Sequence, residues 1–166
     1  EKPTSKIFKR VLYAFPVHFY QYQQIIQDLI DVFHGTEIEV HLKYHPLCQS
    51  SVNNIQLPSN FKVWSQHNKK LNETYDIVLF NDNSFGIESL LMGVKSFEYI
   101  VNEYYDETRM LNFDFYKISL GKNDLFLLKE ELINKTYKKD LSPELVNNYV
   151  CKNFKEYNGS FDKYIW

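Results

Sequence analysis

The chain has 166 residues, of which 44% are hydrophobic and 17% are aromatic, and its formal net charge is −2. A chain of this length buries roughly two thirds of its unfolded surface, and this composition is far from the polar, aromatic-poor composition of disordered proteins. The weak negative charge argues against a nucleic-acid partner, and no apolar run approaches the roughly 18 residues of a membrane span.

The two cysteines, Cys48 and Cys151, lie far apart, and neither is part of a disulfide or zinc-binding pattern. This usage fits a reducing compartment, and the N-terminus has no signal-peptide pattern. We therefore expect a cytoplasmic protein. The chain opens on Glu1 rather than Met. This start predicts that residues 1–9 are a linker or the remnant of a missing N-terminal region, and that residues 10–166 form one domain.

The first part of the sequence predicts a strand, a helix and a second strand. Residues 10–15 are apolar and are followed by Pro16, which is typical of a strand that ends there. Residues 21–33 repeat apolar side chains at the spacing of one helix face, and Gly35 follows as a stop signal. Residues 37–43 alternate in polarity, as a strand does. Together these segments predict a βαβ unit.

The rest of the chain continues the alternation of strands with helices. Further strands are predicted at residues 61–64, 76–80, 94–99 and 115–120, and further helices between Ser84 and Gly93, over residues 123–134, and after Ser142. This alternation predicts a doubly wound, Rossmann-like α/β domain with a mainly parallel sheet of about five or six strands and helices on both faces. In such sheets ligands bind beyond the carboxyl ends of the strands.

The stretch from Tyr75 to Tyr99 contains a strand, a turn, a helix and a strand. Ser84 directly follows the polar turn at residues 81–83, where a helix cap accepts a hydrogen bond from a backbone N–H. The helix start predicts a site for an anion such as phosphate. Ser84 and Glu88 lie within roughly 40° of each other around the helix, so both can face the crevice. The alternative is that Ser84 is only a cap and Glu88 a solvated residue.

Polar residues also follow the strand predicted at residues 37–43. Lys43 and His45 are two residues apart, so they project to the same side of the strand, and Pro46 fixes the path of the chain after them. Because the carboxyl ends of parallel strands meet at one edge, these residues are expected near Ser84. His18 follows the first strand, but we expect it to be a structural or surface residue.

These two groups of residues carry a resemblance to a known family. Lys43-x-His45-Pro46 and the later run Ser84-Phe85-Gly86-Ile87-Glu88, which ends at Gly93, resemble the C-terminal, nucleotide-binding half of a GT-B fold glycosyltransferase. The pattern is most similar to bacterial surface-polysaccharide transferases of the capsular Kdo and sialic acid type, which use CMP-activated donors. Two positions depart from the family pattern: Val94-Lys95 stands where members often have Lys-Pro, and Asn83 replaces a second Ser or Thr.

The resemblance implies a role for each motif residue. His45 would meet the donor phosphate and act catalytically as the departing phosphate gains charge, and Ser84 would bind the same phosphate. Glu88 would contact the ribose hydroxyls. The implied donor-binding set is completed by Lys43, Pro46, Asn83 and Gly86. The resemblance implies neither a metal nor a cofactor.

The resemblance also implies the partners of the chain. The donor would be a nucleotide sugar, with a CMP-sugar favoured, and a glycan or lipid-linked acceptor would bind through a missing N-terminal domain. The chain would then be a fragment of a metal-independent enzyme, inactive alone, and a peripheral association of the longer protein with the inner face of the cell membrane is a further expectation. One alternative is a sugar-nucleotide 2-epimerase, whose diglycine is absent at residues 83–85. The other is a non-catalytic nucleotide-binding or scaffold module of the same fold.

Overall fold

The computed structural model describes residues 9–17, 22–47, 55–65, 70–81, 83–101, 119–137 and 141–153. The strands are β1 (Lys9–Ala14), β2 (Ile38–Lys43), β3 (Phe61–Val63), β4 (Ile77–Phe80), β5 (Lys95–Tyr99) and β6 (Ser119–Leu120). The helices are α1 (Tyr22–Phe33), α2 (Leu71–Thr74), α3 (Phe85–Leu91), α4 (Lys122–Ile133) and α5 (Pro143–Asn153).

The described strands form one parallel sheet in the order β3-β2-β1-β4-β5-β6. β1 pairs with β2 on one side and with β4 on the other, so Ala14 lies opposite both Lys43 and Phe80. The chain therefore winds in one direction from β1 to β3 and in the other from β4 to β6. Such a reversal opens a crevice at the carboxyl ends of β1 and β4. The predicted doubly wound α/β fold is confirmed.

Both faces of the sheet are buried. On β1, Val11, Tyr13 and Phe15 pack in one apolar cluster with residues of α1 and α4. Leu12 and Ala14 face the other way, into clusters with residues of α2, α3 and α5. All four residues of β4 are buried, because this strand lies in the middle of the sheet and is covered on both sides. The continuous apolar run in the sequence reflects this position.

The predicted boundaries agree with the structure to within one or two residues where the two overlap. β6 is described from Ser119 onward, and residues 115–118 of the predicted strand lie outside the described residues, as do His18 and Cys48. The sequence did not predict α2, because a helix of four residues is too short to show an apolar period. Among the described helices, none combines the length and apolarity needed to cross a membrane.

Candidate functional site

Asn83 ties the turn after β4 to the end of β1, on the two sides of the crevice. Its side-chain amide donates to the carbonyl oxygens of Ala14 and Asn81, both at 2.9 Å. Its Oδ1 accepts a hydrogen bond from the Phe85 backbone N–H at 3.0 Å. Asn83 therefore fixes where α3 begins relative to the carboxyl end of β1.

Ser84 does not cap α3 in the way that the sequence predicted. Its backbone already has helical angles (φ −72°, ψ −16°), whereas a capping residue has an extended backbone that turns its side chain toward the first N–H groups. Asn83 occupies that role and takes the Phe85 N–H. The Phe85 N–H, one of the N–H groups at the helix start that were expected to be open to an anion, therefore already has a partner.

Ser84 and Glu88 are in direct contact on one face of α3. The Ser84 hydroxyl donates to Oε1 of Glu88 at 2.8 Å. Ser84 is exposed and Glu88 is half-buried, so the pair lies at the edge of the protein surface rather than inside the core. A hydroxyl and a carboxylate are thus presented together beside the crevice.

Lys43 brings a positive charge to the same place from β2. Its ammonium lies 4.6 Å from the centroid of the Phe85 ring and 5.3 Å from that of Trp64. Burial lowers the pKa of Lys43, and the negative charge of Glu88 raises it in part. A partly desolvated ammonium attracts anions more strongly than one in bulk water. β2 and α3 therefore place a cation, a hydroxyl and a carboxylate close together.

His45 lies two residues beyond β2 and is half-buried. Its Nδ1 accepts a hydrogen bond from the backbone N–H of Leu47 at 3.3 Å, so in the neutral ring the proton is on Nε2. Pro46 is exposed in the same turn. β1 separates β2 from β4, which puts the axes of these strands roughly 10 Å apart. Among the described residues, the contacts join Lys43 to α3 but include no hydrogen bond between His45 and Ser84.

Gly86 allows α3 to lie directly on β4. A Cβ atom at this position would be 2.3 to 2.4 Å from carbon atoms of the Phe80 ring. Phe80 is buried, at 1% exposure, so its ring could make way only by a shift within the core. Gly86 therefore has a packing role that the sequence reasoning did not assign, and its place in the donor-binding set stays a prediction.

The sequence reasoning missed Trp64 and Phe85, the two rings beside Lys43. Trp64 directly follows β3, and only the strand order places it next to the end of β2. A side-chain hydrogen bond joins Trp64 to Tyr75, whose hydroxyl lies 2.7 Å from Nδ1 of His41. Trp64 is thereby held in place against Lys43. The sequence did offer one signal for Trp64, because an aromatic residue stood at the carboxyl end of a predicted strand, where ligands bind.

A second charged group lies at the amino end of β2, on the same face as Lys43. Glu39 accepts hydrogen bonds from Arg10, at 2.8 Å, and from Lys62, and its Oε2 is 3.2 Å from Nε2 of His41. Burial by itself would raise the pKa of Glu39, but the bonds to Lys62 and Arg10 and the charge of His41 lower it to about 2. Burial also lowers the pKa of His41, partly offset by Glu39. This group links β1, β2 and β3.

Of the comparisons with known proteins, the one with solved structures found matches. No protein-family model matches the chain, and neither does any curated protein sequence. A solved structure of the wall teichoic acid polymerase TagF is similar over 95% of this chain and 41% of that chain, with 16% identity and a TM-score of 0.51. A second TagF structure, soaked with CDPG, matches over 95% of this chain and 39% of that chain, with 15% identity and a TM-score of 0.49.

The chain thus spans about two fifths of the length of the TagF chains that it matches. At this level of identity the likeness shows the fold alone. It confirms the GT-B type of fold that the motifs implied, whereas the capsular family and its donor remain predictions. In the part of the chain that the structure describes, six strands form a Rossmann-like α/β sheet, and this fold is similar to that of the matched part of TagF.

Proposed function

We propose that the chain is the nucleotide-sugar-binding half of a glycosyltransferase that builds a bacterial surface polysaccharide, with a CMP-sugar as its donor. The observation that carries the proposal is that Lys43, from β2, lies over the Phe85 ring of α3 and within the field of Glu88, which accepts a hydrogen bond from Ser84, beside the crevice where the sheet reverses. Ligands of doubly wound sheets bind at such a crevice. An ammonium and a hydroxyl suit a phosphate, and a carboxylate suits ribose hydroxyls.

A fold by itself does not determine a reaction, so the proposal depends on these side chains. TagF is named as a wall teichoic acid polymerase, and a polymer-building transferase is the class that we propose for the longer protein. The motif resemblance supports the CMP-sugar, because the similar transferases use CMP-activated donors. Together the site and the resemblance favour a transferase over a scaffold module.

In the proposed reaction the bond between the sugar carbon and the phosphate oxygen breaks, and its electron pair stays on the departing phosphate. Lys43 and Ser84 hold that phosphate, and Glu88 contacts the ribose. His45 donates from Nε2 to the oxygen on which charge develops, so it stabilises the transition state more than the bound donor. In this proposal the acceptor hydroxyl and the base that takes its proton come from outside this half of a GT-B enzyme.

Titration of the chain with CMP, CDP, UDP and GDP, by calorimetry or ligand-observed NMR, tests the binding step. We expect CMP to bind at millimolar concentration or below, and Lys43→Met to weaken it by about tenfold or more, because a hydrogen bond to a charged group contributes about 1.5–3 kcal/mol. Lys70→Met is the matched control, because the Lys70 side chain is 76% exposed and pairs with Glu73 at the surface.

Two results would contradict the proposal. If none of the four nucleotides binds at millimolar concentration, the scaffold alternative is favoured. We also expect the chain alone to bind a nucleotide without transferring sugar, and efficient transfer by this chain would show that the acceptor half is not required. Lys43→Met is expected to stay folded, because it removes a partly desolvated charge and keeps the apolar stem.

A further inference from the structure

Glu88 places a negative charge inside the site that we propose for phosphate. Its Oε1 accepts a hydrogen bond from the Ser84 hydroxyl at 2.8 Å. Glu88 follows Phe85 by one helical turn, and the Lys43 ammonium lies 4.6 Å from the centre of the Phe85 ring. Ser84 and Lys43 are the two groups that would hold the phosphate. A phosphate bound to both therefore lies within the electrostatic reach of the Glu88 carboxylate.

Lys43 and Glu88 carry opposite charges in this crevice, so Glu88 offsets part of the attraction of Lys43 for an anion. Two other cations of the described strands on this sheet face, Arg10 and Lys62, are bound to Glu39 at the opposite end of β2. A phosphodiester carries one negative charge. A phosphate monoester carries close to two at neutral pH, because its second pKa is about 6. The Glu88 carboxylate therefore repels a monoester more strongly than it repels a diester.

We infer that Glu88 shifts this site toward singly charged phosphate, so that the phosphodiester of a nucleotide-linked donor competes better with the monoester of the same nucleoside than it would without the carboxylate. The inference rests on the proposed function. In a transferase the donor is the diester and the released nucleotide is the monoester. The carboxylate then favours entry of the donor and departure of the product, with no change in the contacts to the base or the ribose.

Calorimetry with CMP and with its methyl ester, a nonreactive diester, tests this preference near neutral pH. The quantity to compare is the affinity for CMP relative to that for the methyl ester, which we expect to be lower in the wild-type protein than in a variant without the Glu88 charge. Glu88→Gln keeps an oxygen that can accept from Ser84 but removes the charge, and it should improve the affinity for CMP relative to the ester by about tenfold. The control is Glu144→Gln, which removes an exposed charge in the first turn of α5 and should leave the ratio unchanged.

The ratio of the affinities for CMP and its methyl ester also distinguishes charge repulsion by Glu88 from a contact between Glu88 and the ribose. Both ligands carry the same ribose, so the loss of a ribose contact weakens both by the same factor and leaves their ratio unchanged. An unchanged ratio in Glu88→Gln would therefore overturn the inference. Thermal melts of all three proteins establish that they are folded to the same extent.

Inorganic phosphate and dimethyl phosphate extend the test to anions without a nucleoside. Followed by NMR at the backbone amides of Ser84 and Lys43, Glu88→Gln should bind inorganic phosphate more tightly relative to dimethyl phosphate than the wild type does. If it does so while no nucleotide binds, the proposed function is wrong and the charge preference stands. If nucleotides bind but the two anions respond equally, or if neither anion binds to either protein, the charge preference is wrong.

Discussion

The two ends of β2 hold charged groups that are paired to very different degrees. At the amino end, Glu39 is in contact with Arg10, Lys62 and His41. At the carboxyl end, Lys43 lies over two aromatic rings, and the carboxylate of Glu88 acts on it. Both residues project to the same face of the sheet, because they are four positions apart on one strand.

This difference separates a structural group from a binding group. Glu39 joins three adjacent strands through Arg10 of β1 and Lys62 of β3, and a partly buried carboxylate with several donors has little capacity left for a ligand. Lys43 has a partner charge but lies beside a crevice that a ligand can enter. We therefore expect changes at the amino end to alter stability, and changes at the carboxyl end to alter binding and turnover.

The largest effect is expected from His45→Ala in the full-length enzyme. A histidine beside the departing phosphate acts most strongly when charge develops, so its loss should cost about 3–4 kcal/mol in the transition state, or roughly a hundred- to a thousandfold in kcat. Donor binding should weaken much less. Steady-state kinetics together with thermal melts, at matched folded fraction, measure both effects.

His34→Ala is the control for this prediction, because His34 is exposed in the turn after α1, at the other end of the sheet. It should leave kcat and KM unchanged. A His45→Ala enzyme with wild-type turnover would remove His45 from the site. It would also show that the functional part of the carboxyl end is limited to Lys43 and α3.

Glu39→Gln is expected to lower stability by about 1–2 kcal/mol, because it removes a largely buried charge that binds Arg10 and Lys62, whereas both of these donors can still be hydrated. The pKa of Glu39 is about 2, below its ordinary value of 4.5. Its stabilising contribution is therefore complete above pH 4.5 and is lost as the pH falls toward 2. Urea denaturation across this pH range should show the loss in the wild type and a flatter profile in the variant.

Nucleotide affinity should not change in Glu39→Gln when it is measured well below the unfolding midpoint. Glu73→Gln provides the matched surface comparison, because the Glu73 side chain is 66% exposed and contacts Lys70. Its effect on stability should stay within about 0.5 kcal/mol. A Glu39→Gln variant that loses nucleotide affinity instead of stability would break the distinction between the two ends of β2.

Gly86→Ala should lower stability modestly and should move the binding groups. Its Cβ would overlap the Phe80 ring, and overpacking of this kind costs about 1–3 kcal/mol. Alanine recovers up to about 1 kcal/mol through helix propensity, so we expect a net loss of about 1 kcal/mol. A shift of α3 would also move Ser84 and Glu88 away from Lys43. Urea midpoints and CMP affinity measure the two effects.

Gly121→Ala serves as the control for Gly86→Ala. A Cβ atom at Gly121 would meet only Asp124 Oδ2, at 3.9 Å, so there is space for it. Gly121 begins α4, away from Lys43, and its substitution should cost only the weaker capping preference of alanine and leave CMP affinity unchanged. If Gly86→Ala changes the urea midpoint and the CMP affinity as little as this control does, the close approach of α3 to β4 does not position the site.

Local patterns were sufficient for most of the fold. The apolar period over α1 and the buried run in β4 each reflect which faces of the element are covered, and this information is present within a few consecutive residues. Gly35 and Gly93 have positive φ angles of 74° and 81° at the ends of α1 and α3, where the sequence placed helix stops. The four residues of α2 were missed because they make a single turn.

The sequence by itself determined the alternation of strands and helices, the sites of the turns and the residues that follow each strand, because these depend on interactions between near neighbours. The order of the strands depends on contacts between distant segments. Only the tertiary structure placed β3 beside β2, and with it Trp64 beside Lys43. Likewise, Asn83 rather than Ser84 binds the first N–H of α3, because the end of β1 supplies a carbonyl oxygen that holds the Asn83 amide in place.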